Sequence, residues 1–319
     1  MEVASLGVFA AEARVCGRGW DLTDMRRVGR DQHEAAIATL PIWTGEVHVS
    51  RLHGGITNEN FVVTDEVGRF VVRFGDDIPV HGVMRFNELA AARAAHAAGL
   101  SPEVVYAAPG VMVSRFLEGR SLAPEDVRDT RYLPRIVNLI RRCHYDVAPR
   151  FRGPILAFWV FQVIRSYVED LRAHGARVVD RLPALERQAA ALEALVGPVT
   201  IVFGHNDLLA ANIFDDGDRL WLIDWDYAGL NSPLFDLANL ASNNSFGEKE
   251  EHSLLAAYFG VEPDASVLQA FEAMKCASLM REALWGAVSE IHSRIAFDYA
   301  AYADEYFARL SAALERVRL

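Results

Sequence analysis

The feature that most constrains this chain is a change of period near residue 120. From about 46 to 116 the apolar residues come in short runs, EVHVSRL, NFVVTD, RFVVRF and VMVSRF, broken by turn signals at Gly54-Gly55, Val67-Gly68 and Pro109-Gly110. Such runs are strands joined by tight turns, and NFVVTDEVGRFVVRF reads as one hairpin. RFNELAAARAAHAAG (85–99) is an alanine-rich helix with Gly99 as its stop. After Arg120 the spacing becomes helical, with amphipathic segments near 131–146, 155–174, 183–196, 248–259, 264–292 and 296–316. A β-like island, TIVF then NIF then RLWLID, interrupts them at 200–224. The expected class is α+β with two lobes, a small antiparallel-sheet lobe and a larger, mainly helical one, and a cleft between them. The boundaries read as a weakly ordered segment over 1–30, the sheet lobe over 31–116, a hinge over 117–122 and the helical lobe over 123–319.

The bulk numbers narrow the partners. The chain has 319 residues, enough to give each lobe a core. A net charge of −11 disfavours nucleic acid and anionic membranes, which call for a basic patch. Cys16, Cys143 and Cys276 are odd in number and far apart, so neither a disulfide framework nor a cysteine zinc site is expected. PILAFWVFQVI (154–164) is too short to cross a bilayer and reads as a buried helix. The N-terminus has no basic start or cleavage site, and a cytoplasmic protein without membrane insertion is expected.

Chemistry concentrates in GHNDLLAANIF (204–214) and IDWDYAG (223–229). Asp207 and Asn212 lie on a loop between two strands, and Asp224 ends a third. A tight DDGD turn at 215–218 would bring Asn212 beside Asp224. An amide oxygen and a carboxylate at one point suit Mg²⁺, which takes a few protein oxygens plus phosphate and water. The spare carboxylate, Asp207, can then orient a hydroxyl and accept its proton, the order of parts used in kinase-type phosphoryl transfer. Either motif alone also fits a polar turn; the order and spacing of all three favour chemistry.

Phosphoryl transfer needs a phosphate cradle and a cation upstream. LHGGITNEN (52–60) lies between strands: Gly54 and Gly55 permit close backbone approach, and Thr57 and Asn58 can brace the loop. A plain hairpin loop fits the same letters. Arg73 sits inside the strand VVRF and Glu88 follows on the alanine-rich helix, a cation–acid pair able to clamp nucleotide phosphates. Phe116, at the head of the hinge, is expected against the nucleotide. His48, His53 and His81 read as ordinary polar positions.

On these residues the chain resembles the choline/ethanolamine kinase branch of the aminoglycoside phosphotransferase and protein kinase-like fold. The resemblance covers roughly 45–316 and is carried by GGITNENF, FVVRFG, Glu88, HNDLLAANI, LIDWDYAGLNSPLFDLAN, LWG (284–286) and FDYAAYADEYF (297–307). It implies an ATP- and Mg²⁺-dependent kinase of a small amino alcohol, choline ahead of ethanolamine. A thiamine- or aminoglycoside-type acceptor stands as the alternative, and a non-catalytic nucleotide-binding protein comes last. Asp207 resembles the catalytic aspartate, Asn212 and Asp224 the metal ligands, Asp226 a second acid serving metal and substrate, and Arg73 the nucleotide clamp. Tyr227, Trp285 and Tyr302 resemble the aromatic wall that holds the ammonium on its ring faces; Trp285 fits a helix core as well. Val288 replaces a second tryptophan of the family pattern, Asn243 and Asn244 replace an acid, and so does Ala296. The implied pocket is less aromatic and less acidic.

Overall fold

The computed structural model describes residues 30–52 and 58–317. Helix α1 (Arg30–Ala38) precedes strands β1 (His48–Leu52), β2 (Glu59–Thr64) and β3 (Arg69–Phe74); α2 (Arg85–Ala97) follows, then β4 (Val104–Ala108) and β5 (Val111–Arg115). The five strands form one antiparallel sheet in the order β1-β2-β3-β5-β4. Two-residue alternation decides what the sheet does. Phe70, Val72 and Phe74 pack with Phe61, Val63, Val111 and Val113 into a core closed by Ile37 of α1, so the intervening Val71 and Arg73 face the other way, into the cleft. The alanine-rich α2 buries Ala91, Ala92, Ala94 and Ala95, small side chains that let a helix lie close to its neighbours.

Beyond the linker, β6 (Arg120–Ser121) pairs with β8 and already belongs to the second lobe. That lobe comprises α3 (Pro124–Arg128), α4 (Leu133–Asp146), α5 (Val160–Ala173), α6 (Leu182–Val196), β7 (Val202–Gly204), β8 (Ile213–Asp215), β9 (Leu220–Leu222), β10 (Gly229–Asn231), α7 (Pro233–Asn243), α8 (Glu248–Phe259), α9 (Ala265–His292) and α10 (Tyr299–Leu314). At 28 residues α9 is about 42 Å long. It is buried almost without break from Ala270 to Ser289, as a helix must be when neighbours surround it.

One sequence expectation is corrected, and two elements that the sequence reading left unassigned are present. Residues 154–159 do not open a buried helix; α5 begins at Val160, and Ala157 instead bridges Leu230 beside β10. VVYAA (104–108), without a clean alternation, is the edge strand β4. PLFDLANLASN forms α7, started by Ser232, whose hydroxyl accepts the Leu234 N–H at 3.2 Å, and by Pro233 in the first turn. No helix among the described residues is long and apolar enough to cross a membrane.

Candidate active site

The loop from Gly204 to Asn212 is held by one helix. Asp236 of α7, 1% exposed, accepts the backbone N–H of His205 at 2.8 Å and of Asn206 at 2.7 Å. Asn239 accepts the N–H of Leu208 at 2.6 Å and Asn244 that of Ala210 at 3.2 Å. Four N–H groups that no strand or helix pairs thus find side-chain oxygens, which explains why FDLANLASNN carries so many polar letters in a buried helix. His144 adds a 2.9 Å contact to Asp236. Burial pushes the Asp236 carboxyl up, but the bonds from His144 and the nearby histidines outweigh it and hold it below the usual range.

Two of the candidate carboxylates sit beside left-handed backbone. Asn206, with φ 65°, precedes Asp207, and Asp224 itself has φ 66°. Asn and Asp tolerate this region better than most residues, and such conformations persist where the surroundings impose them. The hairpin of β8 and β9 brings the two halves together, the Ile223 N–H donating to the Asn212 carbonyl at 3.0 Å.

Asn212 donates its Nδ2 to the Asp207 carbonyl at 2.9 Å and to Asp207 Oδ2 at 3.4 Å, which turns its Oδ1 away from Asp207. The Asp224 carboxylate opens onto the cleft with no hydrogen-bond or ion-pair partner among the described residues. Crowding by the surrounding protein, then Asp226 and Asp207, raises its pKa well above the usual value. Asp207 is pushed up to about 7, by burial first and against the attraction of Arg281. An unpartnered carboxylate, a free amide oxygen and a further anion fit a hard divalent cation, with Asn212 and Asp224 as its protein ligands.

The cleft between the lobes has a volume of about 460 Å³. Val71, Val104 and Met112 line its sheet side, Phe214 and Ile223 the opposite side, Phe116 and Leu117 the linker, and Arg73, Asn212 and Asp224 its inner end. This apolar slot leading to charged groups suits a flat base with a phosphate tail. Arg73 pairs with Glu88, as expected, and lies 3.3 Å from Asp226 Oδ1. Sequence reasoning missed Arg85, one turn before Glu88 on α2; it reaches Glu88 at 2.8 Å and Asp226 at 2.6 Å. Glu88 is nonetheless pushed up to about 7, burial outweighing both arginines. Asp226, expected to serve metal and substrate, has its Oδ1 beside Arg73 and Arg85 and accepts from Asn58 on its Oδ2 at 3.1 Å, so here it ties the two arginines to the loop before β2. Gly54, Gly55 and Thr57, expected at the phosphates, His53, and the 1–30 segment apart from Arg30 lie outside the described residues.

On the far side of Asp207 the three expected aromatics meet. Trp285 Nε1 donates to the Tyr227 hydroxyl at 2.9 Å, and the Trp285 and Tyr302 rings lie 5.5 Å apart, edge to face. Tyr299 and Phe297 extend the wall. An acid stands here after all: Glu282, one turn before Trp285 on α9, accepts the Tyr302 hydroxyl at 2.9 Å and pairs with Arg281. Burial first, then Glu282, pushes the Tyr302 phenol up. Arg281 lies with its guanidinium 4.2 Å from the Tyr227 ring centre and 3.7 Å from Asp207 Oδ1. His81 is no ordinary polar position: it packs against Trp285, contacts the Tyr167 hydroxyl at 3.0 Å and meets Ser289 at 3.0 Å, buried behind the wall.

Residues 49–255 match the sequence profile of Choline/ethanolamine kinase. The chain belongs to the choline/ethanolamine kinase family. Over 210 residues it is 30% identical to the protein LicA of Haemophilus influenzae, a match spanning 64% of this chain and 61% of LicA. The crystal structure of a choline/ethanolamine kinase family protein from Mesorhizobium loti has a TM-score of 0.72 at 30% identity, covering 89% of this chain and 94% of the other. Aminoglycoside 2'-phosphotransferase-IIIa, with a TM-score of 0.64 and 15% identity over 89% of this chain and 97% of its own, shares the fold. The family's bilobal kinase-like architecture is thus present, and its alcohol-phosphotransferase chemistry is the frame for the site.

Proposed function

We propose that the protein transfers the γ-phosphoryl group of ATP to the hydroxyl of a small amino alcohol, choline ahead of ethanolamine, releasing the phosphomonoester and ADP. The observation that carries this is the position of Asp207, between its neighbours Asn212 and Asp224 at the inner end of a cleft fit for a nucleotide and a cluster of aromatic rings with one acid. Arg73, which lines the cleft, would hold phosphate oxygens, braced by Glu88 and Asp226, while Arg85 ties those two acids together. Mg²⁺ bound by Asn212 and Asp224 would neutralise charge on the phosphates. Asp207 orients the acceptor hydroxyl and takes its proton; a carboxylate raised to about 7 is suited to hold a proton near neutral pH. Trp285, Tyr227 and Tyr302 offer ring faces to the ammonium and Glu282 offers charge. An aminoglycoside needs a broad acidic surface, and these closely packed rings argue against one. Free, buried thiols at Cys143 and Cys276 agree with a cytoplasmic setting.

Acceptor-dependent ADP release over choline, ethanolamine, thiamine and kanamycin tests the reading. Stimulation by choline or ethanolamine is expected; stimulation by thiamine or kanamycin alone would replace the acceptor. In Asp207→Ala turnover should fall by about three orders of magnitude while nucleotide still binds. An unchanged rate would remove Asp207 from the mechanism.

A further inference from the structure

Among the described residues Arg281 is the largest side chain buried completely, 1% exposed, on the inner face of α9. Only one of its nitrogens is engaged. Nη1 pairs with Glu282 and stands 3.7 Å from Asp207 Oδ1. Nε and Nη2 are buried and have no hydrogen-bond partner among the described residues. Those two atoms form the side-on edge of a guanidinium, a planar fork of parallel N–H donors that matches two oxygens carried on one atom. Unmet buried donors are costly, so a fork left open beside a catalytic carboxylate points to a group that arrives with oxygens.

The alcohol itself does not fit the fork. Its ammonium has no lone pair to offer, and its hydroxyl brings a single oxygen. A phosphoryl group brings several on one phosphorus. We propose that the Nε/Nη2 edge of Arg281 binds two non-bridging oxygens of the phosphomonoester as it forms, making an anion site on the acceptor side of the reaction. This rests on the reading of the protein as an alcohol phosphotransferase. In the step concerned, the hydroxyl proton passes to the Asp207 carboxylate and the acceptor oxygen forms a bond to the γ-phosphorus. The bond from that phosphorus to the bridging oxygen breaks, and ADP leaves with the electron pair. Arg281 keeps its protons throughout. Its Nη1 stays with Glu282 and near Asp207, which ties the fork to the neighbourhood of that carboxylate. The arrangement is complementary to the product rather than to the alcohol, so it favours the late part of the transfer.

The test compares wild type, Arg281→Gln and Arg281→Lys by turnover, by inhibition with phosphocholine and phosphoethanolamine, by nucleotide affinity and by thermal melting. In Arg281→Gln, turnover should fall about 100-fold. The phosphomonoester should inhibit about tenfold more weakly while the alcohol's KM and the nucleotide affinity move by less than about twofold. Arg281→Lys keeps the charge without the fork and should recover only part of the loss. If Arg281→Gln does not fold, the lysine variant carries the comparison. Equal weakening of alcohol and phosphomonoester, or unchanged product inhibition in a folded variant, would overturn the proposal and leave Arg281 a support of the pocket wall. If wild type turns over no amino alcohol, it is the functional reading that fails. Calorimetry with phosphocholine then decides the fork separately: binding lost in Arg281→Gln supports it, and no binding to wild type refutes it.

Discussion

Replacing Asp236 by Asn asks how firmly the loop that carries Asp207 is held. The carboxylate serves three donors: Oδ2 faces the His205 N–H at 2.8 Å and His144 Nε2 at 2.9 Å, and Oδ1 faces the Asn206 N–H at 2.7 Å. Asparagine has one oxygen. In its better orientation it keeps the first two partners and turns an NH₂ onto the Asn206 N–H. A buried donor left unmet costs about 1–3 kcal/mol, and losing charge assistance in the remaining bonds adds about 1–2 kcal/mol. A total near 2–5 kcal/mol, at about 2 °C per kcal/mol for a chain of this size, lowers the melting midpoint by roughly 4–10 °C. The loop also bears on rate. Asn206 holds φ 65° immediately before Asp207, and relaxation there moves the proposed base; a displacement of about 1 Å costs about 100-fold in turnover. Circular-dichroism melts followed by turnover well below the variant's midpoint read both effects. A midpoint within about 2 °C of wild type together with turnover within about twofold would refute the view that Asp236 positions the loop.

The pH dependence of stability should carry the mark of His81. Burial, then Arg281, lowers its pKa from 6.5 to about 3, so the folded protein refuses a proton that the unfolded chain accepts. Stability is therefore lost as pH falls from about 6.5 towards 3, at up to about 1.4 kcal/mol per pH unit. Urea titrations of wild type and His81→Gln should show a difference that narrows with that slope, and a difference independent of pH would contradict it. Gly286→Ala places a methyl 2.9 Å from Tyr302 Cδ1 and 3.1 Å from Ala303 Cβ, where α9 and α10 touch. It should raise the acceptor KM and cost about 1–3 kcal/mol of stability with nucleotide affinity unchanged; a tighter acceptor would show that the wall has slack.

Much of this was legible in the letters because it is periodic or local. Alternation in FVVRF separates Phe70, Val72 and Phe74 from Val71 and Arg73 whatever the sheet packs against, and Asp207, Asn212 and Asp224 are joined by a hairpin a few residues long. What escaped depends on distant partners. Arg281 and Glu282 are adjacent charges on a long helix, which in isolation reads as a solvated stripe; only the packing of Tyr227, Phe158 and Tyr302 around them makes them interior. Asp226 has the same origin: its arginines come from β3 and α2, more than 140 residues earlier. The cap of α7 was readable at Ser232-Pro233, but its polar face makes sense only once the loop it grips is in place.

The layout of the cleft and the aromatic cluster bears on how such a protein changes. On the proposed reading, the groups that address the nucleotide and its phosphates lie before residue 237, whereas most of those that would meet the alcohol lie on α9 and α10, and Arg281 with Asp207 is the seam between them. Letters on the last two helices can drift and re-shape the alcohol's berth while the phosphate machinery keeps its coordinates. Diversity of acceptor within one lineage should accumulate there, and an engineer wanting a new alcohol would begin there and leave the seam alone.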